Sequence, residues 1–196
     1  MRLSEVERGD SLRNRALIRV ISVALGARLP DAARVAFYHK DFVGSALGSW
    51  TQAAMRGPSE WTVAERELMA AMVAAWNSCP FCTGAHRAIA THGDDGLDDA
   101  VVDACLADYR TAPISERLRA TLAFLDVLTR DPDQLTASHA RAATTAGATR
   151  NQLADAAAIA AVFNIVARYA NALAFTMPTE AEFDKAAAMM LKRGYG

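Results

Sequence analysis

Residues 67–86 read Glu67-Leu-Met-Ala-Ala-Met-Val-Ala-Ala-Trp76-Asn77-Ser78-Cys79-Pro80-Phe81-Cys82-Thr83-Gly84-Ala85-His86, and their reading decides the fold. From Glu67 to Trp76 the residues are mostly strong helix formers. Asn77-Ser78 interrupts them. Ser78 is a good N-cap, and Pro80 fits the first turn of a new helix, where a missing N–H costs nothing. The stretch therefore predicts helix, sharp turn, helix: an antiparallel hairpin. Cys79, Cys82 and His86, at i, i+3 and i+7, fall within about 60° on one face of the second helix. The partial positive charge of a helix N-terminus favours thiolate over thiol. Two thiols and an imidazole placed this way are the equipment of a redox site.

Working outward, helical punctuation recurs and strand punctuation does not. Segments at 11–26, 31–55, 62–77, 79–91, 97–109, 115–130, 136–146, 149–175 and 179–192 read as helices. Thr62-x-x-Glu65, Thr149-x-x-Gln152 and Thr179-x-x-Glu182 have the capping-box form, and Trp61 stands where a hydrophobic staple belongs. Gly26, Gly93, Gly96 and Gly147 follow helical segments as C-terminal stops do, and Pro132 marks a break after Arg130. Alternating Val/Ile/Thr runs bounded by two-residue turns are missing, so a sheet has no candidate strands. The fold class is all-α. Residues 1–196 read as one helical domain: an N-terminal helical arm (1–60), the motif hairpin (61–95) and C-terminal helices (97–196). The Ala-rich segment 149–175 is apolar almost all round, which places it in a core or an interface between subunits. Ala64-Glu65-Arg66 leading to His86 has a weak echo in Ser115-Glu116-Arg117 leading to His139, without cysteines.

With 196 residues the chain is long enough to bury a core unaided. Apolar residues make up 52% of it, and the net charge is −1 with no basic stripe, which argues against nucleic acid as a partner. Met1 to Asp10 is charged and unlike a secretory signal, and the apolar run 16–25 is interrupted by Arg19 and too short to span a bilayer, so a membrane partner is not expected. Three cysteines, an odd count without a signal segment, point to a reducing cytoplasm, where C-x-x-C is catalytic or metal-binding more often than structural. A zinc site is disfavoured, because a structural one wants four ligands and neither a second C-x-x-C nor a His-x(3)-His is present. Cys105 reads as a small buried hydrophobe. His39, His92 and His139 read as surface or satisfied histidines, and Met69, Met72 and Trp76 as core. Arg168 either lines the pocket or pairs with a buried carboxylate.

The pattern Glu67-x(11)-Cys79-x-x-Cys82-x(3)-His86 resembles the core of the alkyl hydroperoxidase D family, within the carboxymuconolactone decarboxylase superfamily. Ser115-Glu-Arg through Leu128-Thr-Arg-Asp-Pro132, and Phe163-Asn through Arg168, are similar to the peroxidase-related branch of that family. The likeness covers about residues 30–190 and is strongest over 61–91. It implies an all-α fold assembled as homotrimers or homohexamers. It also implies a peroxidase with no bound cofactor, which draws electrons from an external dithiol such as a protein-bound dihydrolipoyl group. Carried over residue by residue, Cys82 is the sulfur that attacks the hydroperoxide, Cys79 its resolving partner, and His86 with Glu67 the proton relay. Where the best-characterised family pattern has a second histidine between the cysteines, this chain has Phe81.

Chemistry read directly from the residues agrees in outline. His86 lies four residues beyond Cys82, the spacing at which helical side chains meet, and is placed to take a proton and return it to a departing alkoxide. One tension stays open: the helix terminus favours ionising Cys79, while the histidine favours Cys82. Two other functions compete with the peroxidase. One is lactone decarboxylation, which needs proton transfers without a redox dithiol. The other is a non-catalytic, redox-sensitive helical assembly.

Overall fold

In a computed structural model that describes residues 1–38, 44–93 and 95–195, the chain is built of α-helices, with no strand among the described residues. The order is α1 (Ser4–Arg8), α2 (Leu12–Leu25), α3 (Asp31–Phe37), α4 (Ser45–Arg56), α5 (Val63–Trp76), α6 (Pro80–Thr91), α7 (Asp99–Asp108), α8 (Glu116–Arg130), α9 (Ala137–Thr145), α10 (Arg150–Leu173) and α11 (Glu180–Arg193). The capping boxes at Thr62, Thr149 and Thr179 all form. Gly26 closes α2 in the left-handed conformation.

Three boundaries differ from the sequence reading. The segment 31–55 is two helices, because Tyr38 turns to extended backbone and ends α3; His39 lies outside the described residues. A short helix, α1, precedes α2 and buries Val6. The N-cap of α6 is Cys79 and not Ser78. Pro80 accounts for this last difference, since its ring disfavours helical geometry in the preceding residue. Cys79 is accordingly extended, with φ −106° and ψ 90°.

The helices pack around α5, which is buried on nearly every side from Ala64 to Ala74. The apolar segment expected in a core or an interface between subunits, α10, lies across α5, α4 and α8 with one flank in the core and Ile165 exposed. Helix α10 is also long and apolar enough to cross a membrane by length and composition. Here its apolar length is spent on helix–helix packing: Ile159, Val162 and Phe163 join Leu68, Met69, Met72, Leu122 and Leu125 in the main core. Trp61 is buried beside the start of α10, donating its indole N–H to Gln152 O at 2.8 Å. Cys105 is fully buried in the same core, where burial pushes its thiol up to about 11, as a structural cysteine should behave. The sequence echo corresponds to a second hairpin, α8–α9. Its histidine, His139, caps α9 by accepting the Thr136 N–H.

The N-terminal helices dock on the far end of α10. Arg2 donates from its backbone to Leu173 O at 2.7 Å, and buried Asp31 accepts the Thr176 N–H at 2.7 Å. Helix α11 lies along α6, and the chain beyond it turns back towards α4.

Candidate active site

The α5–α6 hairpin brings the candidate residues together. The turn is tight because Ser78 adopts φ +52°, a left-handed conformation uncommon outside glycine. Helix α10 clamps it from outside: Asn171 Nδ2 donates to Asn77 O (2.9 Å) and Ser78 O (3.2 Å), and Asn77 Nδ2 donates to Asn164 Oδ1 (3.0 Å). A strained residue pinned by several hydrogen bonds marks a position whose geometry matters.

Beyond the turn, Cys79 Sγ accepts the Cys82 backbone N–H at 3.5 Å, so the first sulfur itself caps the helix. Both cysteines are free thiols and almost wholly covered, 1% and 3% exposed. They sit in a small apolar cluster with Phe81, Ala74, and Ala167 and Ala170 of α10, walled by Phe175. Phe81 packs edge-on against Phe175 at 5.1 Å and tilted against Phe183 of α11 at 6.1 Å. At the position of the family's second histidine the chain therefore has an aromatic wall.

The two sulfurs differ in acidity. The Cys82 thiol donates to Cys79, and this outweighs burial; with the backbone N–H groups of Cys82 and Phe81 it pulls Cys79 down to about 7. The same hydrogen bond, together with burial and the Cys79 charge, pushes Cys82 well above the ordinary thiol range. In the resting dithiol the negative charge therefore belongs to Cys79, which is the helix-terminus side of the tension in the sequence.

One helix away, Glu67 on α5 faces His86 on α6, with Oε2 to Nδ1 at 2.6 Å. The sequence alone did not place this carboxylate; the hairpin does. Glu67 is 0% exposed. Burial alone would raise its pKa, but the hydrogen bond and charge of His86 and the guanidinium of Arg56 together hold it below the usual carboxylate range. An ionised carboxylate has no proton to give, so Nδ1 carries the hydrogen in this contact. The ring is fixed further by Phe163 of α10, edge-on at 4.4 Å. His86 makes no hydrogen bond to either sulfur among the described residues.

Two partners of Glu67 were not singled out from the sequence. Arg56, the last residue of α4, pairs with Oε1 at 2.7 Å. Tyr195, beyond α11, donates to Oε1 at 2.8 Å and lies 3.0 Å from Oε2. Their distances along the chain from Glu67, and their ordinary sequence surroundings, left no local signal. Among the other candidates, His92 ends α6 and Arg168 is exposed on α10 rather than lining a pocket or meeting a buried carboxylate. Among the described residues no three His, Cys, Asp or Glu side chains converge as metal ligands.

Comparison with known proteins gives this arrangement a context. No protein-family model matches the sequence, and no curated protein does. Solved structures do. The alkylhydroperoxidase AhpD core of an uncharacterized peroxidase-related protein from Ralstonia eutropha JMP134 is similar with a TM-score of 0.72 and 26% identity, over 88% of this chain and 87% of that one. An uncharacterized peroxidase-related protein from Silicibacter sp. TM1040 gives 0.71 and 25%, over the same 88% and 87%. The debrominase Bmp8 shares the fold, with a TM-score of 0.66 and 20% identity over 91% and 94% of the two chains.

Proposed function

From the premise that this chain is an AhpD-like protein, akin in structure to peroxidase-related proteins, we propose that it reduces hydroperoxides through a Cys79/Cys82 dithiol–disulfide cycle, with Glu67 and His86 as its proton relay. The observation that carries the reading is the 2.6 Å Glu67–His86 contact on the same hairpin whose turn presents an acidified dithiol.

The cycle begins with the proton shared between the sulfurs. Its transfer from Cys82 to Cys79 leaves a Cys82 thiolate. That sulfur attacks the terminal oxygen of ROOH: an S–O bond forms, the O–O bond breaks, and the departing alkoxide takes up, by way of His86, the proton now on Cys79 and leaves as alcohol, which returns Cys79 to thiolate. Cys82 is now a sulfenic acid. Cys79, as thiolate, forms the S–S bond and expels hydroxide, which is protonated to water. An external dithiol, a dihydrolipoyl group in the family's manner, reopens the disulfide by two exchanges and becomes a disulfide itself. Such a cycle belongs in a reducing compartment, the cytoplasm. The enclosed sulfurs suit a small peroxide, and the dithiol donor reaches them after Phe81 and Phe175 part.

A second reading follows from the aromatic wall. Bmp8 is a debrominase, and a variant of it with one cysteine changed to alanine has been solved in complex with 2,3,4-tribromopyrrole. The Phe81, Phe175 and Phe183 rings offer an apolar surface suited to a flat halogenated ring. There, the dithiol gives two electrons to the C–Br carbon, and the products are the C–H compound, bromide, a proton and the disulfide.

The test is peroxide consumption with a dithiol donor, beside debromination and lactone decarboxylation, in wild type and Cys82→Ser. Limiting peroxide followed by thiol trapping and mass spectrometry should find sulfenic acid on Cys82 in a Cys79→Ser protein and a Cys79–Cys82 bond in wild type. Peroxide left untouched, with both thiols intact, overturns the reading.

A further inference from the structure

Glu67 has more partners than a proton relay needs. Arg56 already supplies the positive charge, at 2.7 Å from Oε1 and with its guanidinium 4.9 Å from the centre of the Tyr195 ring. His86 takes Oε2. A third donor, a phenol, arrives from a segment 128 residues away. Its arrival is specified in detail. Gly194 holds φ +70° and ψ −153°, a region that residues with a Cβ rarely adopt, and so aims the next residue inward. The Tyr195 N–H then bonds Gln52 Oε1 of α4 at 2.6 Å. The ring lies nearly parallel to the His86 imidazole, 6.2 Å between centres at 22°, and the phenol oxygen is 3.4 Å from Nδ1.

We propose that Tyr195 is a positioning residue for His86: through its hydrogen bond to Glu67 and its contact with the imidazole it fixes the Nδ1–H tautomer and sets the basicity of Nε2. The inference rests on the peroxidase reading for its use in turnover, but not for its existence. The physical ground is that a neutral donor differs from a charged one. Arg56 keeps Glu67 ionised. Tyr195 draws off part of the carboxylate's charge without adding a positive one, so the imidazolium is stabilised less than by a bare carboxylate. His86 then returns its proton to a leaving alkoxide more readily. The phenol itself stays protonated, since burial and the Glu67 charge push its pKa well up. The groups in contact with His86 are Glu67 from α5, Tyr195 from beyond α11 and the neutral ring of Phe163 from α10; the charge of Arg56, from α4, reaches it through Glu67.

The experiment titrates His86 by NMR in histidine-labelled protein, with the signal assigned by its loss in His86→Asn. Wild type is compared with Tyr195→Phe, which keeps the ring and loses the hydroxyl. In Tyr195→Phe the His86 titration should move to higher pH, because the carboxylate that faces it loses a neutral donor. Its nitrogen shifts should move from a single Nδ1–H tautomer towards a mixture. Gly194→Ala, which disfavours the backbone conformation that delivers the intact phenol, should move His86 in the same direction. In the peroxidase assay the acid limb of kcat/KM should shift by the same amount as the NMR titration. There, kcat should fall about tenfold with KM for peroxide little changed, less than loss of an acid–base group outright. A Tyr195→Phe titration and tautomer that superimpose on wild type overturn the proposal, whatever the activity. A wild type without peroxide turnover but with the shifted titration sinks the peroxidase reading and leaves the Tyr195 assignment standing.

Discussion

At the scale of single residues, the sharpest feature is the division of labour between two sulfurs one helical turn apart. Cys79 caps the helix and accepts the Cys82 thiol, while Cys82 donates. Thiolate absorbance, or the pH dependence of alkylation, should therefore show a transition near 7 in the reduced protein. Cys79→Ser should abolish it, and Cys82→Ala, which removes the donor, should move it upward. A transition that survives Cys79→Ser would assign the resting charge to the other sulfur. The sign for stability follows: Cys79 is depressed in the folded state, so the stability it contributes is full above the ordinary thiol range and lost as pH falls through about 7. Glu67 obeys the same logic lower on the scale. Glu67→Gln leaves the largely buried Arg56 charge without its counter-ion and should cost about 3 kcal/mol at neutral pH, read by urea unfolding. Because the folded Glu67 pKa is lowered, its contribution is lost as pH falls through that lowered value. The gap between wild type and Glu67→Gln should thus narrow in acid.

At the scale of elements, the hairpin was legible in the sequence and the network around its carboxylate was not. Helix formers from Glu67 to Trp76, a two-residue interruption and Pro80 are local signals, and local signals fixed α5, the turn and α6. Proline also explains the single misreading there, since it moved the cap from Ser78 to Cys79. That Glu67 meets His86 depends on the hairpin closing in register. That Arg56 and Tyr195 join them depends on α4 and on the chain beyond α11, placed by packing, which leaves no periodic trace. The α6–α11 contact makes the point in reverse. Gly84 looks unremarkable in sequence, yet a Cβ there would stand 2.8 Å from Cε2 of Phe183. Gly84→Ala should push α11 away from α6 and cost about 1–3 kcal/mol, measurable as a lowered melting temperature. Phe183→Leu in the same chain should recover part of the loss, because it removes the atoms in conflict.

At the scale of the whole molecule, one stripe is left uncovered. Leu12, Val20 and Val23 share a face of α2 and are 83%, 65% and 75% exposed. Exposed apolar faces of this kind mark interaction sites, and a homotrimer or homohexamer, the assembly the family resemblance leads one to expect, would bury this one. Sedimentation of the wild type should give a multiple of the 21.0 kDa chain, and the Val20→Asp, Val23→Asp double variant should sediment as a monomer. A wild type that is already monomeric removes α2 from the account. The core beneath agrees with the sequence reading of the Ala-rich segment as a closely packed helix: α10 is a beam laid across α5, and its inner flank serves the site.

That flank has an arithmetic of its own. Phe163 steadies His86, Asn164 and Asn171 hold the Asn77–Ser78 turn, and Ala167 and Ala170 back the two sulfurs. These five residues occupy a single ridge because seven or eight steps close about two turns. Deleting one residue between Thr149 and Phe163 would swing the whole ridge by about 100° and detach turn, sulfurs and imidazole at a stroke. Natural variants of this chain should therefore tolerate many exchanges along α10 but almost no change in its count.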